Sequence, residues 1–181
     1  MNKLFFSILF SLVFASLRCG ASTPPASGTS GNWEYINTSN TYIPYTQLVT
    51  AINNTPIPGF DDRGYAGGME VYEGKGTQAG DFYWPRGSDQ KEKQHFMLVV
   101  FDSPDKVTHR QMDEGREPLK ITKSKKDLIY GEYTTKGGKY VGLILIRNRI
   151  LLQFVSYGID SNDLRKICDG YDTSAFEALI K

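Results

Sequence analysis

Residues 127–157 read DLIYGEYTTKGGKYVGLILIRNRILLQFVSY. Three apolar runs, Asp127–Thr135, Lys139–Ile146 and Ile150–Tyr157, are parted by Lys136-Gly137-Gly138 and by Arg147-Asn148-Arg149. Short runs broken by turn-forming residues predict an antiparallel strand meander. In the middle run Tyr140, Gly142, Ile144 and Ile146 fall on one side and Val141, Leu143 and Leu145 on the other. A strand apolar on both sides belongs at the centre of a sheet covered on both faces.

Outward from the meander, His95–Phe101 (HFMLVVF) has the same two-sided apolar character and reads as another strand. Met69–Tyr72 and Asp81–Trp84 read as shorter strands in a glycine-rich region. Helices are expected at Tyr45–Asn53, from Ser103-Pro104 to about Glu114, from a Ser161 cap to near Gly170, and at Ser174–Leu179 after Thr173. Leu164, Ile167, Cys168 and Tyr171 share one helical face, so Cys168 reads as a small core hydrophobe rather than a nucleophile. The expected fold class is α+β, a mostly antiparallel sheet with a C-terminal meander and helices packed on one face. Residues 33–181 form its single domain, a length that suits one hydrophobic core.

The first residues set the address. Lys3 precedes an uncharged, largely apolar run from Leu4 to Leu17, followed by Arg18, Cys19, Gly20 and Ala21. A charged start, a short apolar core and small residues make a secretory signal segment over residues 1–18. The run is too short for a permanent span, which needs about 20 residues. The segment Ser16-Leu17-Arg18-Cys19-Gly20 resembles the cleavage box of bacterial lipoproteins, with Ser16 and Arg18 where Leu and a small residue are usual. That resemblance implies lipidation at Cys19 and a membrane partner reached through the acyl chains. It also implies an outer-membrane destination, since Gly20 lacks the acidic character of an inner-membrane retention signal. Cleavage after Ala21 is the alternative and gives a soluble secreted or periplasmic protein. Residues 19–32 are small, polar and uncharged beyond Cys19, a composition expected to be a disordered tether. Its 13 residues from Gly20 to Asn32 would span roughly 20 Å.

Composition narrows the partners. Without Lys3 and Arg18, 19 basic residues face 20 acidic ones, so no global field favours nucleic acid. The two cysteines, Cys19 and Cys168, do not make a disulfide scaffold. The two histidines, His95 and His109, stand apart, with no His-Glu-x-x-His pair and no Cys/His zinc spacing, so neither a metal nor a cofactor is called for. The glycine run from Gly74 to Gly80 lacks the Gly-Lys-Ser/Thr ending of a phosphate loop.

Ile57–Gly87 is the candidate recognition region. It holds eight glycines interleaved with Phe60, Tyr65, Tyr72, Phe82, Tyr83 and Trp84. Glycine lets backbone approach a ligand, and aromatic faces stack on sugars or fill partner pockets. Tyr65, Tyr72, Tyr83, Trp84 and Arg86 are the expected ligand or partner surface, with Trp84 partly exposed at a strand end. Lys120, Lys123, Lys125 and Lys126 form a basic cluster read as a charged rim guarding a strand edge, the alternative being contact with anionic lipid or a polyanionic surface. The expected function is a non-enzymatic module binding a protein or glycan of the cell envelope. The competing expectation is a small envelope hydrolase whose carboxylates converge only in three dimensions.

Overall fold

The computed structural model describes residues 42–62, 67–70, 76–89, 93–102 and 120–180. The helix expected after Ser103 lies outside these residues, as do Cys19, Tyr65 and Tyr72. A helix α1 (Tyr45–Asn53) leads into strands β1 (Phe60–Asp62), β2 (Gly67–Glu70), β3 (Thr77–Pro85) and β4 (His95–Asp102). The edge strand β5 (Lys120–Lys125) precedes the meander β6 (Leu128–Thr134), β7 (Tyr140–Ile146) and β8 (Ile150–Tyr157). Helices α2 (Ser161–Gly170) and α3 (Ser174–Glu177) follow.

All strands join one antiparallel sheet in the order β1-β3-β4-β8-β7-β6-β5, with β2 sharing the outer edge of β3 with β1. The meander and β4 agree with the sequence expectation to within a residue or so at each end. The Arg147-Asn148 turn has φ of 46° and 53°, and Arg149 N–H donates to the Ile146 carbonyl at 2.9 Å. Two successive left-handed residues make the tight hairpin turn whose twist matches its strands.

Several features differ from the sequence expectation, among them β1, which has no counterpart in it, and β2, which spans Gly67–Glu70 where Met69–Tyr72 was expected. Strand β3 begins at Thr77, not Asp81, because register with the strongly apolar β4 carries pairing back from Tyr83↔Phe96 to Thr77↔Asp102. The basic segment at 120–125 forms a full edge strand, with a bulge between Ile121 and Lys123. The bulge makes Lys120, Lys123 and Lys125 the partners of Glu132, Tyr130 and Leu128, so all three lysines share one face. At α2 the cap is Asp160, whose carboxylate accepts from Asn162 N–H at 2.8 Å, rather than Ser161.

Alternate residues feed two apolar clusters. Leu48 and Ile52 of α1, Leu164 and Cys168 of α2 and Phe176 of α3 meet Ala79, Tyr83, Leu98, Ile144, Leu152 and Phe154 of the sheet. Met97, Val99, Phe101, Tyr133, Val141, Leu143, Leu145 and Leu151 form the second cluster from the opposite strand positions. Strand β7 therefore has buried side chains on both sides, as its sequence requires.

Glycine fixes one close approach. A Cβ placed on Gly142 would lie 2.5 Å from Cys168 Sγ, so the missing side chain lets α2 settle onto β7. Gly142→Ala should destabilise the domain by about 1–3 kcal/mol, the usual range for overpacking. Adding Cys168→Ala should restore part of that loss, which a double-mutant cycle of denaturant melts will measure.

A buried ion pair closes the other end of the sheet. Asp102 is fully buried, and its two carboxylate oxygens accept from Arg149 Nε at 2.9 Å and Nη2 at 3.1 Å. Ile43 N–H also donates to Asp102, at 2.5 Å, and the Ile43 carbonyl accepts from Thr77 Oγ1 at 2.6 Å. Asp102→Ala removes the buried carboxylate that accepts from Arg149 and from the Ile43 amide. The expected loss is about 3–5 kcal/mol, read from urea denaturation.

Candidate functional site

At one end of the sheet a single row of side chains crosses four strands on the face of the second cluster. The β4–β8 register pairs His95 with Tyr157. Continuing Tyr83↔Phe96 outward by one residue sets Trp84 opposite His95, and continuing Val141↔Val155 by two sets Lys139 opposite Tyr157. Trp84, His95, Tyr157 and Lys139 thus line up across β3, β4, β8 and the start of β7. Phe82 stands one step inward, beside Met97.

His95, Tyr157 and Lys139 touch, and Phe82 packs on the row from within. His95 and Tyr157 stack with ring centroids 4.7 Å apart and planes 8° from parallel. Phe82 meets His95 edge-on at 5.8 Å. Lys139 Nζ sits 4.1 Å from the centre of the Tyr157 ring, a cation–π contact. Because β8 lies between β4 and β7, His95 and Lys139 cover opposite faces of Tyr157. Tyr157 therefore offers ring edge and hydroxyl, not a flat stacking surface. Backbone geometry supports the row from behind. Gly158 has φ of +77°, and a Cβ there would collide with the Lys93 carbonyl, so glycine alone lets β8 finish against the start of β4.

The sequence-predicted surface divides. Trp84 is partly exposed at the end of β3, as expected, and Arg86 is exposed just beyond it. Arg86 Nε contacts Asp61 Oδ1 at 3.1 Å, and its Nη2 donates to the Phe60 carbonyl at 3.5 Å. That ties the corner next to Trp84 to β1. Tyr83 is a correction. It is buried, and its ring stacks on Phe96 with centroids 5.1 Å apart. Burial, with Tyr171, Asp81 and Asp62 nearby, pushes its hydroxyl far above the ordinary tyrosine range. Strand alternation demands that Tyr83 and Trp84 face opposite ways, and the first apolar cluster takes Tyr83. His95, Tyr157 and Lys139 were missed as a group because they lie far apart in sequence and only register joins them.

A second polar cluster ties α2 to the sheet. Glu132 accepts from Tyr140 Oη at 2.7 Å and Arg165 Nε at 2.8 Å, and Lys120 Nζ approaches at 3.3 Å. Burial raises the carboxyl pKa, but the hydrogen bonds from Arg165, Tyr140 and Lys120 outweigh it and hold it below the ordinary glutamate value. These donors act as a brace, with the guanidinium carbon of Arg165 lying 5.8 Å from the Tyr140 ring centroid. Cys168 is buried, and desolvation drives its thiol upward, away from the thiolate a nucleophile needs. Among the described residues, no group of three or more His, Cys, Asp and Glu side chains converges as metal ligands.

No protein family, curated protein or solved structure gives a significant match to this chain.

The Glu132 brace has a pH signature. A carboxyl whose pKa is lower folded than unfolded stabilises above its unfolded pKa, about 4.3. That stabilisation drains as pH falls through the folded value. Denaturant melts across the acid range should show stability falling below about pH 4.5, and Glu132→Gln should remove part of that slope.

Proposed function

We propose that this chain is an exported cell-envelope lipoprotein, held in the outer membrane by acyl chains on Cys19. Its α+β domain, with helices layered on one sheet face, is a non-enzymatic binding module for an envelope protein or glycan. The leader and the Cys19 box support the address. The row Trp84–His95–Tyr157–Lys139 supports the binding role, and its position is the observation that carries it. Ile43, just ahead of α1, is fixed at the Asp102 end of β4. The row sits at the His95 end, seven residues and roughly 23 Å away along the strand. A tether leading into Ile43 puts the row on the side of the domain farthest from the anchor.

Recognition through the row runs by ring edges, the Lys139 ammonium and Trp84, because the faces of Tyr157 are already covered. This chemistry suits a partner that presents hydrogen-bond acceptors beside an apolar surface.

Mass spectrometry of the mature N-terminus tests the address. An acylated Cys19 is expected, and Cys19→Ser should block maturation or release the protein from membranes. An unmodified N-terminus at Ser22 would refute the anchor. For binding, Trp84→Ala and Lys139→Ala should each weaken capture on protein-free cell-wall sacculi or on solubilised envelope proteins. Trp84→Ala should also cost less stability than Tyr83→Ala, which is expected to lose about 3–5 kcal/mol as a core truncation. If Trp84→Ala leaves capture unchanged in both arms, the row is not the binding surface.

A further inference from the structure

The opposite end of the sheet carries a different surface. One transverse row there runs Thr77, Asp102, Ile150, Ile146, Leu128 and Lys125, fixed by the pairings between successive strands. It joins the point where the chain enters, at Ile43, to the turns between β5 and β6 and between β7 and β8. Lys125, Lys126 and Arg147 are all exposed at those turns. Arg147 N–H donates to the Asp127 carbonyl at 2.7 Å, and Arg147 Nε lies 3.6 Å from the Asp127 carboxylate. The two turns are thereby joined into one knob bearing three basic groups against the single acid Asp127. At the other edge of the same end, Tyr45 opens α1 and is 42% exposed, the exposed large hydrophobic residue among those described. Knob and tyrosine stand about five strand spacings apart, roughly 24 Å.

We infer that this end of the domain rests on the anionic phospholipid headgroups of the leaflet that holds the anchor. Lys125, Lys126 and Arg147 contact phosphate at one edge, and Tyr45 sits at the headgroup level at the other. The inference rests on the anchored reading above. Three observations favour a lipid surface over a soluble polyanion. The basic turns lie at the end where the chain enters, so an acyl anchor brings them to a membrane. The exposed aromatic at the opposite edge of the same end is a tyrosine, the residue type enriched at membrane–water interfaces. The contacts span the width of the sheet end instead of converging on a groove. A basic group close to an anionic leaflet strengthens adsorption roughly fivefold. Two-edged docking would also turn the Trp84 row squarely away from the membrane.

The test uses the mature exported protein with its native N-terminus, whose mass independently decides the anchor. A fluorophore is placed at Ser124→Cys, next to the knob and across the sheet from the tether, or at Gly137→Cys at the far end. A Cβ at Gly137 meets only Thr135 Oγ1, at an ordinary 3.8 Å, and the native Cys168 is buried. Vesicles carry a headgroup quencher in phosphatidylcholine with or without phosphatidylglycerol. The expected result is quenching at position 124 and not at 137, only with phosphatidylglycerol, and relieved by added salt. Lys125→Gln with Lys126→Gln should lower the docking constant roughly 25-fold. Equal quenching at both labels, quenching that ignores phosphatidylglycerol, or a double variant that docks as well as the parent overturns the inference. So does binding of heparin through the two lysines without vesicle contact. An unacylated protein that still shows the 124-only quenching would end the anchor reading and leave the docking surface standing.

Discussion

A buried carboxylate cannot stay charged in the protein interior without strong partners, and Asp102 sets the arrangement of everything around it. Its three acceptor contacts draw Arg149 from the β7–β8 turn and the Ile43 amide from the segment ahead of α1. Thr77, opposite Asp102 in β3, returns a hydroxyl to the Ile43 carbonyl. One charge thus fastens the entry of the chain to the end of β4, to a hairpin turn and to a neighbouring strand.

The meander was legible because each strand ends at a strong turn signal and each is apolar enough to declare its span. Arg147-Asn148 and Lys136-Gly137-Gly138 leave little freedom in register. Helix α1 followed from the spacing of Leu48 and Ile52, and the helical face of Cys168 from its period. The segments missed have weak intrinsic preference. Thr77–Gly80 and Phe60–Asp62 contain residues poor in strand propensity and pair only because β4 and β3 offer free edges. Residues 120–125 carry three lysines and read as a charged rim guarding a strand edge, not as a strand, yet an edge strand tolerates charge that an inner strand cannot.

The site was half legible for a related reason. Neighbouring bulky aromatics at 83 and 84 announce that one lies inside and one outside, but not which. Phe96 and the helix-side core decide it by taking Tyr83. The partners of Trp84 come from β4, β8 and the β6–β7 turn, separated from it by up to 73 positions in the chain. Their alignment is a property of registers summed across three strand pairs, and no local pattern records such a sum.

The bulge in β5 has a consequence for how copies of this protein meet one another. By placing Lys120, Lys123 and Lys125 on one side of the edge strand, it concentrates positive charge where a second sheet would have to dock. Two copies approaching edge to edge in antiparallel fashion would bring like rows together on the same face. Every new backbone hydrogen bond would then be formed against mutual repulsion of two lysine rows whose Cβ atoms stand about 5 Å apart. Under the anchored reading proposed above, copies gathered on a membrane would collide far more often than they would in solution. An edge that repels its own kind keeps such a crowded layer from polymerising into a continuous sheet.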